Sequence, residues 1–467
     1  MNNSFVKLMA IVGLVVISIV ACNKATTDPT PTTATVTALT CASTTYSATA
    51  TAGTAYMGTA TVPYTGGNGA AYATGSAIAS TGVTGLTATL AAGTLATGAG
   101  NATFAITGTP SAAGTATFTV SVGGQSCSIA LTVAAAVVVP PVVSGGAWSF
   151  DTDIVNIVKV AEAFKATLTA SQVTALQYTY TKAQAQKWSN FPESIYRGRV
   201  GLQTSTFTAT QKTAFLELLK ITTGTTINEG YEEYVGILDA DDYLGANGGG
   251  SGYGSGNYYV GFLGMPSTTG LWCLQIGGHH GTNLFTYNGG KMTGGTPNFR
   301  STEPYPTWTS TNTGKMVQSL VQETAALAAF LQGLSAAELA TAKRASAQND
   351  LIVGPQKDAS FPTTKTGVKA GNLTTAQKNL LLAAIKTYVD ELDDKAAGAV
   401  LAKYKVEIDN TYVSYVGGTT MAEKGDYILI DGPSVWIEWV IQGGVIIRNG
   451  VHPHSIWRDK TADYGGN

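Results

Sequence analysis

Two hydrophobic periods divide the chain. Between residues 36 and 134 apolar and small polar side chains alternate with period two, most clearly in Ala116-Thr-Phe-Thr-Val-Ser-Val122 and Cys127-Ser-Ile-Ala-Leu-Thr-Val133. That alternation predicts short strands, each with one face buried. Glycine pairs such as Gly123-Gly124 and the phrase Tyr64-Thr-Gly-Gly-Asn-Gly69 punctuate them as turns. After Trp148 the period changes. Four phrases, Leu168-Thr-Ala-Ser-Gln172, Phe207-Thr-Ala-Thr-Gln211, Leu334-Ser-Ala-Ala-Glu338 and Leu373-Thr-Thr-Ala-Gln377, each set a hydroxyl residue three positions before Gln or Glu. There the hydroxyl accepts from an orphan amide of the first turn while the Gln or Glu reaches back, so each phrase predicts a helix start. The positions that follow are amphipathic, as in Leu381, Leu382, Ile385, Tyr388 and Val389. Strand-like runs lie between the helices: Asn257–Leu263, Leu271–Ile276, Tyr427–Ile430 and Val435–Ile441.

These patterns predict a multidomain chain, an all-β sandwich followed by an α+β domain with capped helices around a mainly antiparallel sheet. The expected divisions are a signal segment at 1–21, a stalk at 22–35, a β-sandwich at 36–134, a linker at 135–147 and the α+β domain at 148–467. At the linker, Pro140-Pro141 stiffens the chain and Gly145-Gly146 releases it. Only 12% of residues are charged and the net charge is -2, so no basic field supports nucleic-acid binding. From Asp28 to Asp151 no charged residue intervenes, which leaves the sandwich with no candidate acid or base.

Lys7 precedes an apolar run, Leu8 to Val20, too short for a spanning helix and placed as a signal segment. The run ends in Ile19-Val20-Ala21-Cys22, which resembles a bacterial lipobox. The resemblance implies cleavage before Cys22, lipids on that cysteine and a membrane tether; a plain signal peptide is the alternative. Asn23 in place of Asp favours the outer membrane. An oxidising compartment is expected, with Cys41 and Cys127, which bracket the sandwich, as a disulfide. Cys273 is left over among apolar neighbours and reads as a buried thiol, with a ligand role beside His279 open.

The phrases Tyr64–Gly69, Ser80–Leu90, Ile106–Ser111 and Gly123–Cys127 resemble immunoglobulin-like repeats of Bacteroidetes-type surface proteins, which implies a spacer or adhesion module. The segment from about 150 onward resembles the bacterial domain of unknown function 3500 family. That resemblance is carried by Arg199-Val-Gly-Leu202, Gly230-Tyr231, Gly264-Met-Pro266, Gly278-His-His280, Asp431-Gly-Pro433, Trp436-Ile-Glu438, His452–Asp459 and Asp463-Tyr-Gly465. It departs at Cys273, at Gly281 and in the glycine-rich insert Gly245–Gly256. The family brings no established activity with it.

Chemistry concentrates in the histidines. The chain has only 4, in two clusters, His279-His280 and His452-Pro-His454. On a strand, positions 452 and 454 share a face, so two imidazoles meet one metal. The expectation is that folding joins the clusters into one site for zinc or copper, with neutral ring nitrogens as ligands. Hydrogen-bonded structural histidines are the competing reading. Glu438, a carboxylate in an apolar run, reads as a third ligand, a general base or a partner of Arg458 or Arg448. Arg458 reads as a clamp for an anionic substrate or as a structural partner of Asp459. Together these residues suit a metal-dependent hydrolase, or a copper oxidoreductase; a non-catalytic surface binding or adhesion protein is the alternative. The substrate, a small molecule or a polymer, is not legible. Asp239-Ala-Asp-Asp242 offers oxygens for calcium without the spacing of a calcium loop. The glycine-rich insert lacks the Lys-Ser/Thr of a phosphate loop, and Ser455 lacks a nucleophile elbow.

Overall fold

A computed structural model describes residues 33–134 and 146–466, apart from 311, 347 and 359. The lipobox, Cys22 and the linker prolines lie outside the described residues. The chain forms two compact units, Met1–Val138 and Val139–Asn467.

The first unit is strand-rich. Its longest strands, Tyr56–Asn68 and Thr97–Gly108, pair antiparallel in one sheet, and Gly114–Val122 pairs with Gln125–Ala134 in another. The alternating apolar positions of both sheets, Val62, Phe104, Ile106, Phe118, Val120 and Ile129 among them, close over a single core. Cys41 and Cys127 form a disulfide, as the sequence led us to expect.

The second unit sets nine helices against one twelve-stranded sheet among the described residues. The helices are α1 (Ile154–Ala166), α2 (Ala170–Leu176), α3 (Lys182–Ala185), α4 (Ala209–Thr222), α5 (Gly230–Leu244), α6 (Val321–Gln332), α7 (Ala336–Ala342), α8 (Thr375–Val389) and α9 (Asp394–Glu407). The strands are β1 (Gln177–Tyr178), β2 (Leu202–Gln203), β3 (Tyr259–Leu263), β4 (Trp272–Gly277), β5 (Gly281–Asn288), β6 (Lys291–Gly294) and β7 (Asn298–Ser301), then β8 (Val368–Lys369), β9 (Tyr412–Val416), β10 (Tyr427–Asp431), β11 (Val435–Gly443) and β12 (Val451–Asp459). All four predicted capping boxes are present, on Thr169, Thr208, Ser335 and Thr374.

Those boxes come in matched pairs. Gln211, the reaching residue of α4, donates to Thr167 O and to Gln172 of the α2 box, 39 residues earlier. Gln377 of α8 donates in the same way to Gly333 O and to Glu338 of the α7 box, again 39 residues earlier. The sheet repeats the symmetry. Its order is β1-β3-β4-β5-β7-β12-β11-β10-β9-β8, with β2 beside β3 and β6 beside β5. Strands β3-β4-β5-β7 answer β9-β10-β11-β12, and the two series meet where β7 runs antiparallel to β12. The α+β unit is thus two similar halves back to back.

Alternation on β12 sorts its side chains. Ser455, Trp457 and Asp459 face the helices, meeting Tyr388 of α8 and Tyr404 of α9. His452, His454, Ile456 and Arg458 face the other side, where segments around 178–200 and 351–361 pack over the sheet. Cys273 is buried there as a free thiol, pushed up to about 12 by burial.

The disulfide closes a sequence separation of 86 residues. Cys41→Ser should therefore cost the first unit about 4 kcal/mol. Scanning calorimetry should show the transition of that unit falling while that of the α+β unit stays in place.

Candidate metal centre

The two histidine clusters do meet. His279 and His280 form the turn between β4 and β5, closed by the Gly278 amide donating to Gly281 O at 2.9 Å. His280 takes the left-handed backbone, φ 67°, a conformation that costs a residue with a β-carbon about 1 kcal/mol or more. Its carbonyl accepts from the Ser301 amide at 2.8 Å, which ties the turn to β7. Ser301 in turn pairs with His454 across β7 and β12. The turn is thereby hung beside the strand that carries the other two imidazoles.

One ring nitrogen from each of His280, His452 and His454 lies within 4.8 Å of the others, and all three residues are buried. His452 Nε2 and His454 Nε2 are 3.2 Å apart. Two nitrogens each about 2.0–2.1 Å from a tetrahedral metal lie about 3.3 Å apart, so the pair fits one ion. The same distance suits an N–H···N hydrogen bond between neutral rings. Burial first, then the neighbouring imidazoles, holds His280 well below the ordinary histidine range and lowers His452 to about 3. Both rings are neutral at physiological pH, the form that ligates a metal.

Carboxylates orient the rings. His454 Nδ1 meets Asp350 Oδ1 at 3.0 Å, which leaves Nε2 for the centre. Burial works against ionisation of Asp350, but its interactions with His454, the Leu351 amide and Gln442 outweigh it and lower its pKa. A carboxylate behind a ligating imidazole fixes its tautomer and raises its basicity. His279 lies outside the group of three. Its ring stacks on His280 with centroids 3.5 Å apart, and its Nδ1 meets Asp241 Oδ1 of α5 at 2.5 Å. The other oxygen of Asp241 accepts from the Gly254 amide at 2.8 Å, and Asp242 accepts from the Ser255 amide at 2.7 Å. The glycine-rich insert thus docks on these acids through backbone amides and the Ser255 hydroxyl, and Tyr253 within it sets its ring edge-on to His279. Asp239 is occupied as well, by Trp308, Ser310 and Asn312. These three acids work as hydrogen-bond acceptors, and the calcium reading of that run is dropped.

Glu438 and Arg458 do not join the histidines. Glu438 lies on the same face of the sheet, but its two oxygens accept from Ile352 N, Val353 N, Tyr427 Oη and Trp436 Nε1 at 2.6–2.9 Å. Burial raises its pKa against these four donors. A carboxylate so filled is an anchor for the 352–353 segment. Arg458 is buried against Asp358, with Nε 2.9 Å from Asp463, and stands over the rings of Phe361 and Tyr464. Its fork is engaged by protein groups, Asp358, Asp463 and Val353 O, which is the structural role of the two read from the sequence, with these partners in place of Asp459. Asp350 and Asp241, absent from the sequence-based site, are the carboxylates that touch its rings.

A family model described as "Protein of unknown function (DUF3500)" matches residues 151–466. The chain belongs to that family. No curated protein and no solved structure matches it. The matched segment holds the whole histidine group, so the centre lies inside the family domain.

Glu438→Ala leaves four buried donors without an acceptor, which should cost about 3 kcal/mol or more in chemical denaturation. Metal content of the folded variant should equal that of the unsubstituted chain, which a ligand role for Glu438 would not allow.

Proposed function

We propose that the family domain is a metal-dependent enzyme of the cell envelope, built on a three-imidazole centre. The observation that carries this reading is the convergence of His280, His452 and His454, from clusters far apart in sequence, within 4.8 Å. Three imidazole nitrogens suit zinc or copper and leave a tetrahedral ion one position for water or substrate. A metal there supplies a Lewis acid and an activated water, so hydrolysis is the reaction class we favour. The chain's own part is to hold the rings: Asp350 fixes His454, the left-handed turn presents His280, and the Asp241–His279 pair braces that turn from behind.

Around this domain we place a lipid anchor on Cys22 in the outer membrane and an immunoglobulin-like spacer over the strand-rich unit. The uncharged composition of residues 36–134 supports a spacer, since that stretch offers no acid or base for catalysis. A second reading, a surface binding protein with a structural metal, is favoured by the burial of the four imidazoles, which are 1–6% exposed.

The test is elemental analysis of the purified full-length chain. One zinc or copper per chain is expected, lost in the His452→Ala/His454→Ala double variant. Asp350→Asn should weaken the site about 10–100-fold. Absence of metal after loading with either ion would leave the histidines as a hydrogen-bonded cluster.

A further inference from the structure

On the helix-facing side of the sheet four glutamates crowd around one arginine. Glu229 is the N-cap of α5 and Glu233 lies in its first turn; Glu323 lies in the first turn of α6, and Glu391 joins α8 to α9. One carboxylate oxygen from each lies within 4.8 Å of the others, and all four residues are buried. Arg300 of β7 binds two of them, through Nε to Glu233 at 3.1 Å and through its terminal nitrogen to Glu391. The second oxygen of Glu233 accepts from the Leu320 amide at 3.3 Å.

The balance does not close with protein groups alone. Glu229 Oε2, Glu323 Oε2 and Glu391 Oε1 are sealed from solvent and have no hydrogen-bond partner. Each belongs to a residue only 2% exposed. Against four carboxylates stand one guanidinium and the partial positive ends of two helices, each worth about half a charge. Burying such an excess of negative charge is costly unless a counter-charge enters. Protons or a cation must therefore complete the cluster.

The donors decide which cation. All are carboxylate oxygens, with no nitrogen or sulfur ligand, so a hard ion is selected. Magnesium keeps several waters and demands a near-ideal octahedron, whereas calcium accepts an irregular cage of protein oxygens. Glu233 also lines a cleft of about 510 Å³ with Asn228 and Ser319, beside the cluster. We propose that Glu229, Glu323 and Glu391, with the Glu233–Arg300 pair beside them, form a second metal site that takes calcium. Two of the glutamates come from the first half of the domain and two from the second. The ion would clasp both halves across β7, the strand whose next residue, Ser301, carries the His280 turn.

Terbium is the probe for a calcium site, sensitised by nearby tyrosine. Tyr388 stands close enough to Glu323, Glu233 and Glu229 for their charges to act on its phenol. In the chelator-treated full-length chain, terbium emission should saturate at one ion per chain and be displaced by calcium well before magnesium. It should persist in His452→Ala/His454→Ala and weaken at least tenfold in Glu323→Gln and in Glu391→Gln. Calcium should also raise the thermal midpoint of the unsubstituted chain, a readout that needs no variant. A chain that neither sensitises terbium nor gains stability with calcium would overturn the site and leave protons as the neutralising charge. Binding unchanged in both glutamine variants would overturn it as well.

Discussion

The antiparallel seam between β7 and β12 is the contact on which the α+β unit depends. It joins the two halves into one sheet and fixes what each face of that sheet presents. In the register Arg300↔Ser455 and Ser301↔His454, one residue of each pair-step turns to the helices and the next turns away. A slip of one residue would exchange the faces. The glutamate–arginine cluster and the histidine group are therefore products of the same register, read on opposite sides of one strand pair.

The two halves share a plan and differ in chemistry. The turn His279-His280 has its counterpart in Pro433-Ser434, closed by the Gly432 amide donating to Val435 O at 2.8 Å. At that second turn Ser434 meets Glu407 and Lys403, and imidazoles are missing. The candidate metal centre thus arises where the duplicated plan is broken, by histidines at one turn and on one strand. The carboxylates that complete it, Asp241 and Asp350, come from a helix and a covering loop outside the repeated strands.

Much of this was legible in the chain. Capping phrases marked four helix starts because a cap is local chemistry, and period-two alternation placed His452 and His454 on one face. The recurrence of those phrases at a constant offset also carried the duplication, a signal visible in Thr169, Thr208, Ser335 and Thr374 once they are taken in pairs. The roles of Glu438 and Arg458 were not legible. An apolar run shows that a carboxylate is expensive there, but its donors include amides 85 and 86 residues away, which no local pattern reveals. Asp350 and the four glutamates were hidden for the same reason: each looks like an ordinary polar residue until the fold gathers its partners.

The central claim is that three imidazoles share one ion, and X-ray absorption at the metal edge of the loaded full-length chain tests it most directly. The account predicts a nitrogen shell at about 2.0–2.1 Å with the outer-shell scattering of three imidazoles. A sulfur shell, or oxygen neighbours with no imidazole scattering, would contradict it.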